Sequence, residues 1–84
     1  MREIKIERVY RHFKGNFYYI EDIAIHSETR EEYVVYKALY GEYKTFIRPK
    51  NMFLEEADIN REDNVKKQKY RFQLVDLLTQ KLLE

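Results

Sequence analysis

Arginine and histidine side chains suited to binding an anion stand beside aromatic or rigid residues at two places in the chain. Arg11 and His12 lie between Tyr10 and Phe13, and Arg48 precedes the only proline. A guanidinium near aromatic rings can bind a phosphate through two hydrogen bonds or stack on a planar ring. We therefore consider Arg11, His12 and Arg48 as candidate ligand contacts. Each residue also suits a structural role. Either arginine could form a surface ion pair, and the histidine could form a hydrogen bond at the end of a strand.

Tyrosines in the same part of the chain could supply flat surfaces for such a ligand. The candidates are Tyr18, Tyr36, Tyr40 and Tyr43, and on a continuous strand Tyr36 and Tyr40 would share a face. A tyrosine ring stacks on a planar ligand at low entropic cost while its hydroxyl bonds to polar atoms. A small core without tryptophan also needs tyrosines, so we expect at least half of the eight to be structural.

The segment HSET offers imidazole, hydroxyl and carboxylate groups on a polar reversal. We expect His26, Ser27, Glu28 and Thr29 to add hydrogen bonds to a ligand, because loops on rigid sheets often carry binding residues. The same residue types also cap turns with their side chains. A serine–histidine catalytic pair would need an orienting acid and an oxyanion hole, which the adjacent His26 and Ser27 do not indicate. We therefore expect a protein that is not an enzyme.

Composition limits the classes of protein to which the chain can belong. Cysteine is absent and the two histidines stand far apart, so we expect no metal, cofactor or disulfide. With 84 residues and 37% charged residues the chain has room for one small core, which self-association often supplements, and we expect a homo-oligomer. Its net charge of +1 lacks the positive field that a long nucleic acid requires, whereas a few local cations suffice for a small anion.

The sequence shows no membrane or export signal. No apolar run approaches the ~20 residues that a bilayer-spanning helix needs. The charged start MREIKIERVY lacks the apolar region of a signal peptide. We therefore expect a cytoplasmic protein without membrane contact.

Hydrophobic patterning predicts a mostly β fold. Apolar and polar residues alternate, with turns expected around Gly15 and Gly41 and a strand end at Pro49. The predicted strands cover residues 4–13, 17–25, 32–39 and 44–48, and a 3₁₀ turn is expected at 49–53. Reversals at this spacing favour a small SH3-like barrel or a rolled antiparallel sheet.

Composition divides this single domain into three parts. Residues 1–54 hold the β motifs, residues 55–69 read as a polar, exposed connection, and residues 70–84 are richer in apolar side chains. Alternation predicts a closing strand over 70–74, and leucines at helical spacing predict a short C-terminal helix from Asp76. Such a leucine stripe would need the barrel or another subunit to cover it.

Four motifs follow one another along the first half of the chain, namely YRHFKGNFY, HSET, VVYKALYG and IRPKNMF. Their order and spacing from Tyr10 to Leu54 resemble a family of short bacterial and phage proteins known as a domain of unknown function. That family usually has a tryptophan where this chain has Phe46. The resemblance implies a compact β-domain, similar in kind to the phage anti-CBASS sponge proteins. Those proteins sequester cyclic nucleotide signals of bacterial immune systems, in some cases at interfaces between subunits.

The resemblance therefore implies a non-enzymatic protein that sequesters a cyclic nucleotide, in the host cytoplasm if a phage encodes it. In that role the arginines and His12 would contact phosphates or base edges, the four candidate tyrosines would include the stacking residues, and the HSET segment would bind ribose or base atoms. The alternative is an SH3-like adaptor that binds a protein or an RNA through its aromatic surface. A third hypothesis is an auxiliary subunit of a nucleotide-processing enzyme.

Overall fold

The computed structural model describes residues 2–83, which form one five-stranded antiparallel sheet and one short helix. The elements are β1 (Val9–His12), β2 (Phe17–Ile25), β3 (Glu32–Ala38), β4 (Thr45–Pro49), α1 (Lys50–Phe53) and β5 (Phe72–Leu74). Across the sheet the strand order is β4-β3-β2-β1-β5. Consecutive hairpins thus build the first four strands, and the returning chain adds β5 beside β1.

Local sequence explains the first hairpin and the curvature of the sheet. Gly15 has a φ of 117°, which glycine adopts without a steric penalty, and its N–H donates to the carbonyl of His12 at 2.8 Å. A shift of register between Ile20 and Asp22 marks a β-bulge in β2. A bulge bends its strand and increases the local twist, which helps the sheet to roll.

The core lies inside the roll, against one face of the sheet. Phe53 of α1 and Phe72 of β5 are stacked with 4.2 Å between their ring centroids and an angle of 6° between their planes. Both rings are almost completely buried. The other members of the cluster are Tyr10, Ile20, Val34, Tyr36 and Leu74. A mostly β fold with a rolled antiparallel sheet is therefore confirmed.

The roll does not close into a barrel, because the two edge strands do not pair with each other. The β5 edge is covered by later and earlier parts of the chain. Glu56 bridges Tyr70, and the N–H of Leu83 donates to the carbonyl of Leu74 at 2.9 Å. Within residues 2–83 no segment pairs with the outer edge of β4. The sheet therefore has one covered edge and one open edge.

Several strand boundaries differ from the sequence-based prediction by one or two residues, and the start of β1 differs by more. β1 begins at Val9 rather than at residue 4, because Glu7 has a φ of 57°, which lies outside the strand region. β4 ends at Pro49 instead of before it, and the turn that follows is α-helical rather than 3₁₀. In that turn Phe53 is buried, whereas Met52 is 41% exposed.

The C-terminal helix predicted from Asp76 is wrong. The carboxylate of Asp76 accepts a hydrogen bond from the N–H of Leu78 at 2.9 Å, and the N–H of Asp76 donates to the carbonyl of Lys81 at 2.9 Å. Gln80 has a φ of 60°, which interrupts any right-handed helix. These bonds produce a tight reversal that leaves Leu77 and Leu78 66% and 95% exposed.

The connection over residues 55–69 is mostly exposed, but two of its polar side chains are buried. Gln68, which is 1% exposed, accepts a hydrogen bond from the guanidinium of Arg11 at 2.7 Å. Its amide nitrogen donates to the carbonyls of Arg11 and Tyr70, both at 2.8 Å. The side chain of Asn64 in turn bonds to both backbone groups of Gln68, at 2.9 and 2.8 Å. These contacts fasten the connection to β1, so the segment predicted to be exposed is exposed only in part.

Candidate functional site

A group of aromatic side chains lies where the core reaches the surface, and we call it the aromatic face. Its rings pack edge-to-face around Tyr18, whose centroid lies 5.4 Å from that of Tyr36, 5.7 Å from Tyr40 and 5.5 Å from Phe72. The ring of Phe46 lies 5.9 Å from that of Tyr36. The aromatic face therefore consists of Tyr18, Tyr36, Tyr40, Phe46 and Phe72.

Strand register brings these rings together. Tyr36 lies opposite Ile20 of β2 on one side and opposite Phe46 of β4 on the other, and Tyr18 lies opposite Ala38. Directly opposed residues project their side chains from the same face of a sheet. The exposed fraction rises from 5% at Tyr36 to 43% at Phe46, so this face grades from core into surface.

The hydroxyl groups of Tyr18 and Tyr40 share a hydrogen bond of 2.8 Å, with the two ring planes at 86°. Burial and this hydrogen bond raise the pKa of Tyr18 well above its usual value. The hydroxyl of Tyr18 therefore stays protonated at physiological pH. Because their shared bond uses only one of two hydroxyl hydrogens, the pair keeps one O–H donor for another acceptor.

Arg48 supplies the cation of the aromatic face. Its Nε donates to the hydroxyl of Tyr36 at 3.3 Å, and its Cζ lies 5.6 Å from the ring centroid of Phe72. Glu55, one of the acidic residues that could have paired with it, bonds instead to Arg71 at 3.2 Å. None of the ion pairs found within residues 2–83 involves Arg48. Its positive charge is thus held at the aromatic face by rings and a hydroxyl.

His12 borders the aromatic face as a neutral ring. Its centroid lies 4.9 Å from that of Phe72 and 6.4 Å from that of Tyr18. Burial, assisted by the charge of Arg71 and other nearby cations, lowers the pKa of His12 to about 4. Its Nδ1 accepts a hydrogen bond from the N–H of Lys14 at 3.1 Å. The neutral ring therefore carries its proton on Nε2, where it can serve as a donor.

Acid should destabilise the protein through His12. Its pKa of about 4 in the folded chain lies below the ordinary value of 6.5, so in this interval the unfolded chain binds the proton more readily. The stabilisation is complete above pH ~6.5 and is lost as the pH falls to ~4. For a half-exposed ring, screening reduces the effect, and we expect a loss of about 1–2 kcal/mol. Urea unfolding at pH 7 and at pH 4.5 measures it.

The matched variants are His12→Asn and His26→Asn, since asparagine keeps an acceptor near the Nδ1 position. We expect His12→Asn to lose this part of the acid dependence and His26→Asn, in an exposed loop, to retain it. An acid dependence unchanged by His12→Asn would contradict the assignment.

Arg11 does not belong to the aromatic face. It lies on the opposite face of β1 from His12, is 8% exposed, and donates to Gln68 beneath the connection. Burial lowers the pKa of Arg11 from its ordinary value. One guanidinium nitrogen of Arg11 also lies 3.6 Å from the position that a Cβ atom would have at Gly15. Arg11 therefore makes structural contacts beneath the connection and lies apart from the other candidate residues.

The HSET segment lies far from the aromatic face, at the other end of β2. His26 is roughly 26 Å from Tyr18 along the strand, at ~3.3 Å per residue. The Nδ1 of His26 accepts hydrogen bonds from the N–H groups of Glu28 and Thr29, both at 3.2 Å. Ser27, which lies between His26 and Glu28, is exposed. The side chains of this turn thus bond to its own backbone.

Tyr43 is also separate from the aromatic face. It stands in the turn between β3 and β4 with a φ of 55° and is 57% exposed. Its N–H donates to the carbonyl of Tyr40 at 3.1 Å, which closes the turn. Of the residues predicted from the sequence, the structure therefore gathers His12, Tyr18, Tyr36, Tyr40 and Arg48.

Two rings of the aromatic face were not among the predicted site residues. Phe46 could have been found, because it stands two positions before Arg48 and so shares its face of the strand. Phe72 could not, because it comes from the far end of the chain. It reaches the site through the pairing of β5 with β1, in which Phe72 lies opposite His12.

The aromatic face is open rather than enclosed. A depression of about 90 Å³ beside it is lined by Ala38, Tyr40, Gly41, Glu42, Lys44 and Phe46. Pockets that enclose a small molecule usually exceed ~300 Å³. A ligand bound by one chain would therefore lie on this face instead of inside it.

Two classes of feature are missing from the part of the chain that the structure describes. Residues 2–83 contain no cluster of three side chains able to hold a metal ion. No helix in that range is long and apolar enough to cross a bilayer.

Comparison with known proteins identifies a family. Residues 8–74, which include all five strands, match a family described as a protein of unknown function (DUF1653). The comparison with curated proteins and the comparison with solved structures found no match. Because the match covers most of the 84 residues, the chain belongs to this family of unknown function, DUF1653.

Proposed function

We propose that this protein is a non-enzymatic nucleotide-binding protein that sequesters a cyclic nucleotide signal in the cytoplasm. The observation that carries the proposal is the aromatic face, where Arg48 lies 5.6 Å from one ring centroid and bonds to the hydroxyl of Tyr36. Rings that can stack on a base and a cation that can bind a phosphate thus occur side by side.

The exposed rings suit the bases of such a ligand. Tyr40 and Phe46 are 42% and 43% exposed, and Tyr18 fixes Tyr40 through the hydroxyl pair. Stacking of a base on an aromatic side chain contributes ~1–3 kcal/mol and accepts any base. Bases are therefore bound chiefly through their flat surfaces, with the remaining O–H donor available to a base edge or a ribose.

Cations suit the phosphates. Arg48 makes no ion pair within the described residues, whereas Arg71, Lys14 and Arg61, which lie near His12, each pair with a carboxylate. The neutral Nε2–H of His12 adds a donor that does not require low pH. The chain as a whole has a net charge of only +1, so this local charge favours a small anion over a long polyanion.

The openness of the aromatic face favours a second candidate function. A depression of about 90 Å³ would leave most of a nucleotide in water. Proteins that bind a peptide or a single-stranded RNA use open aromatic surfaces of this kind. The alternative is therefore an adaptor that recognises a protein or an RNA segment.

Thermal unfolding with a panel of cyclic mono-, di- and trinucleotides tests the proposal. A nucleotide that binds the folded chain should raise Tm by at least ~5 °C at about 100 times its Kd. Heating the complex and analysing the released nucleotide then shows whether it is intact. We expect release of the unchanged compound, because sequestration needs binding without turnover.

Other outcomes separate the candidate functions. A hydrolysed nucleotide would identify an enzyme and contradict the proposal. Absence of any shift across the panel, together with binding of a single-stranded RNA or a peptide, would favour the adaptor. The linear mononucleotides AMP and GMP serve as controls, because they carry the same bases without the cyclic phosphodiester.

A further inference from the structure

The open edge of β4 presents a defined set of backbone groups. The N–H of Ala38 donates to the carbonyl of Lys44 at 3.0 Å, so this opposed pair is hydrogen-bonded. In an antiparallel ladder, hydrogen-bonded and non-hydrogen-bonded pairs alternate. Phe46 and Arg48 therefore also direct their backbone groups toward β3, whereas Thr45 and Ile47 direct theirs away from the sheet.

Side chains along β4 agree with an edge that is available for pairing. Ile47, 65% exposed, and Phe46, 43% exposed, leave apolar surface on both sides of the strand. Pro49 lies at an edge-facing position, where a missing N–H breaks no bond with β3. The opposite edge of the sheet is covered by the chain itself, through Glu56 and Leu83. An exposed edge of this kind is a template for another strand.

We propose that a second copy of this chain pairs with β4, antiparallel and with Phe46 opposite Phe46 of the partner subunit. In this register Thr45 of each copy lies opposite the partner's Ile47. Thr45 and Ile47 each direct one N–H and one carbonyl outward, so the two copies together present four N–H groups and four carbonyls. In this register all of these groups form hydrogen bonds. Moving the twofold axis to Ile47 would instead place Thr45 opposite the partner's Pro49, which has no N–H to donate.

The pairing completes the aromatic face, so this inference deepens the proposed function and rests on it. Phe46 and Arg48 project from the same face of β4, because they alternate with Ile47, and Lys44, which immediately precedes the strand, lines the same depression as Phe46. In the proposed register Lys44 of the partner subunit lies beside Arg48, and the two Phe46 rings join the aromatic faces of both copies. Each half of the site thereby gains a cation from the other chain.

The composite site indicates the class of ligand. On each side of the paired Phe46 rings, Arg48 of one copy and Lys44 of the other form a cationic cluster. The two cations of a cluster repel one another unless an anion lies between them, because the exposed ion pair of Lys44 with Glu42, at 3.4 Å, is weak. A ligand with two phosphates and two bases matches this arrangement, with one phosphate at each cluster and one base on each aromatic face. We therefore expect a cyclic dinucleotide to favour the dimer, and a mononucleotide to do so less.

Disulfide cross-linking tests the register directly, because the chain has no cysteine of its own. Residues opposed in a non-hydrogen-bonded antiparallel pair lie about 4.5 Å apart at Cα, which a disulfide can bridge. The variants are Phe46→Cys and, as the matched control on the same strand, Ile47→Cys. In the proposed register two Ile47 positions lie about 8 Å apart, beyond the reach of a disulfide. Both proteins are oxidised with copper phenanthroline.

We expect Phe46→Cys to form a covalent dimer at least ~5-fold faster than Ile47→Cys. Faster cross-linking of Ile47→Cys, or none of either variant, would overturn the inference. Light scattering of the unmodified protein, with and without cyclic di-AMP, separates the two proposals. A monomer that binds the nucleotide would refute the pairing and leave the proposed function intact. A β4-linked dimer that binds no nucleotide would support the pairing and refute the proposed function.

Discussion

Replacing Gln68 by leucine should lower the free energy of unfolding by about 3–5 kcal/mol. The side chain is 1% exposed, accepts a hydrogen bond from the guanidinium of Arg11 at 2.7 Å, and donates to the carbonyls of Arg11 and Tyr70. Leucine fills nearly the same volume but offers none of these bonds. The substitution leaves a buried cation and two carbonyls without their partner. Such unsatisfied buried groups cost more free energy than removal of both partners of a hydrogen bond would. Urea unfolding monitored by circular dichroism measures the loss.

Two variants distinguish this explanation from a general effect of mutating the loop. Glu62→Leu changes an exposed residue of the same connection and should alter stability by less than about 0.5 kcal/mol. The double variant Arg11→Met with Gln68→Leu removes both partners and should cost less than the two single changes added together. A loss of under about 1 kcal/mol in Gln68→Leu would show that water replaces the amide, and would contradict the structural role.

Replacing Arg48 by methionine should weaken nucleotide binding about 30-fold to 100-fold while the protein stays folded. Methionine keeps an apolar side chain of similar length near Phe72 but removes the charge and the bond to Tyr36. Because the guanidinium is half-buried and has no carboxylate partner within residues 2–83, its charge is available to a phosphate. Isothermal titration calorimetry with the nucleotide selected by the panel gives the change in Kd.

The matched control removes a cation from the opposite face of the sheet. Lys37 of β3 lies opposite Tyr19 and Thr45, so its side chain projects away from the aromatic face. Lys37→Met should change the Kd by less than about 3-fold, since only long-range attraction is lost. Equal losses in Arg48→Met and Lys37→Met would point to a diffuse charge effect and count against a phosphate site at Arg48.

Local chemistry was enough to predict the meander of β1 to β4. Alternation over β2 and β3 and the turn at Gly15 depend on neighbouring residues, and the predicted boundaries of β2 agree with the structure. The same approach was wrong for the tail after Asp76. Leucines at helical spacing there are outweighed by the side-chain cap of Asp76 and the positive φ of Gln80.

The candidate site could be predicted only in part, for a reason visible in two residues. Arg11 and His12 are neighbours in sequence and looked equally suited to bind a ligand. Alternation places them on opposite faces, and the partner that buries Arg11 is Gln68, which lies in a segment that reads as exposed. A contact between residues so distant in sequence leaves no local pattern. Phe72 was missed for the same reason, since it reaches the site only through β5.

The anchoring of residues 55–69 changes how this segment behaves as a loop. Long connections without a strand or helix usually fluctuate independently and are the first places that proteases cut. Here the N–H of Gln68 bonds to the side chain of Asn64, and Gln68 itself is held by β1. The amide hydrogen of Gln68 should therefore exchange with solvent as slowly as those of the strands. We therefore expect the polar connection to unfold together with the sheet, as part of one cooperative unit.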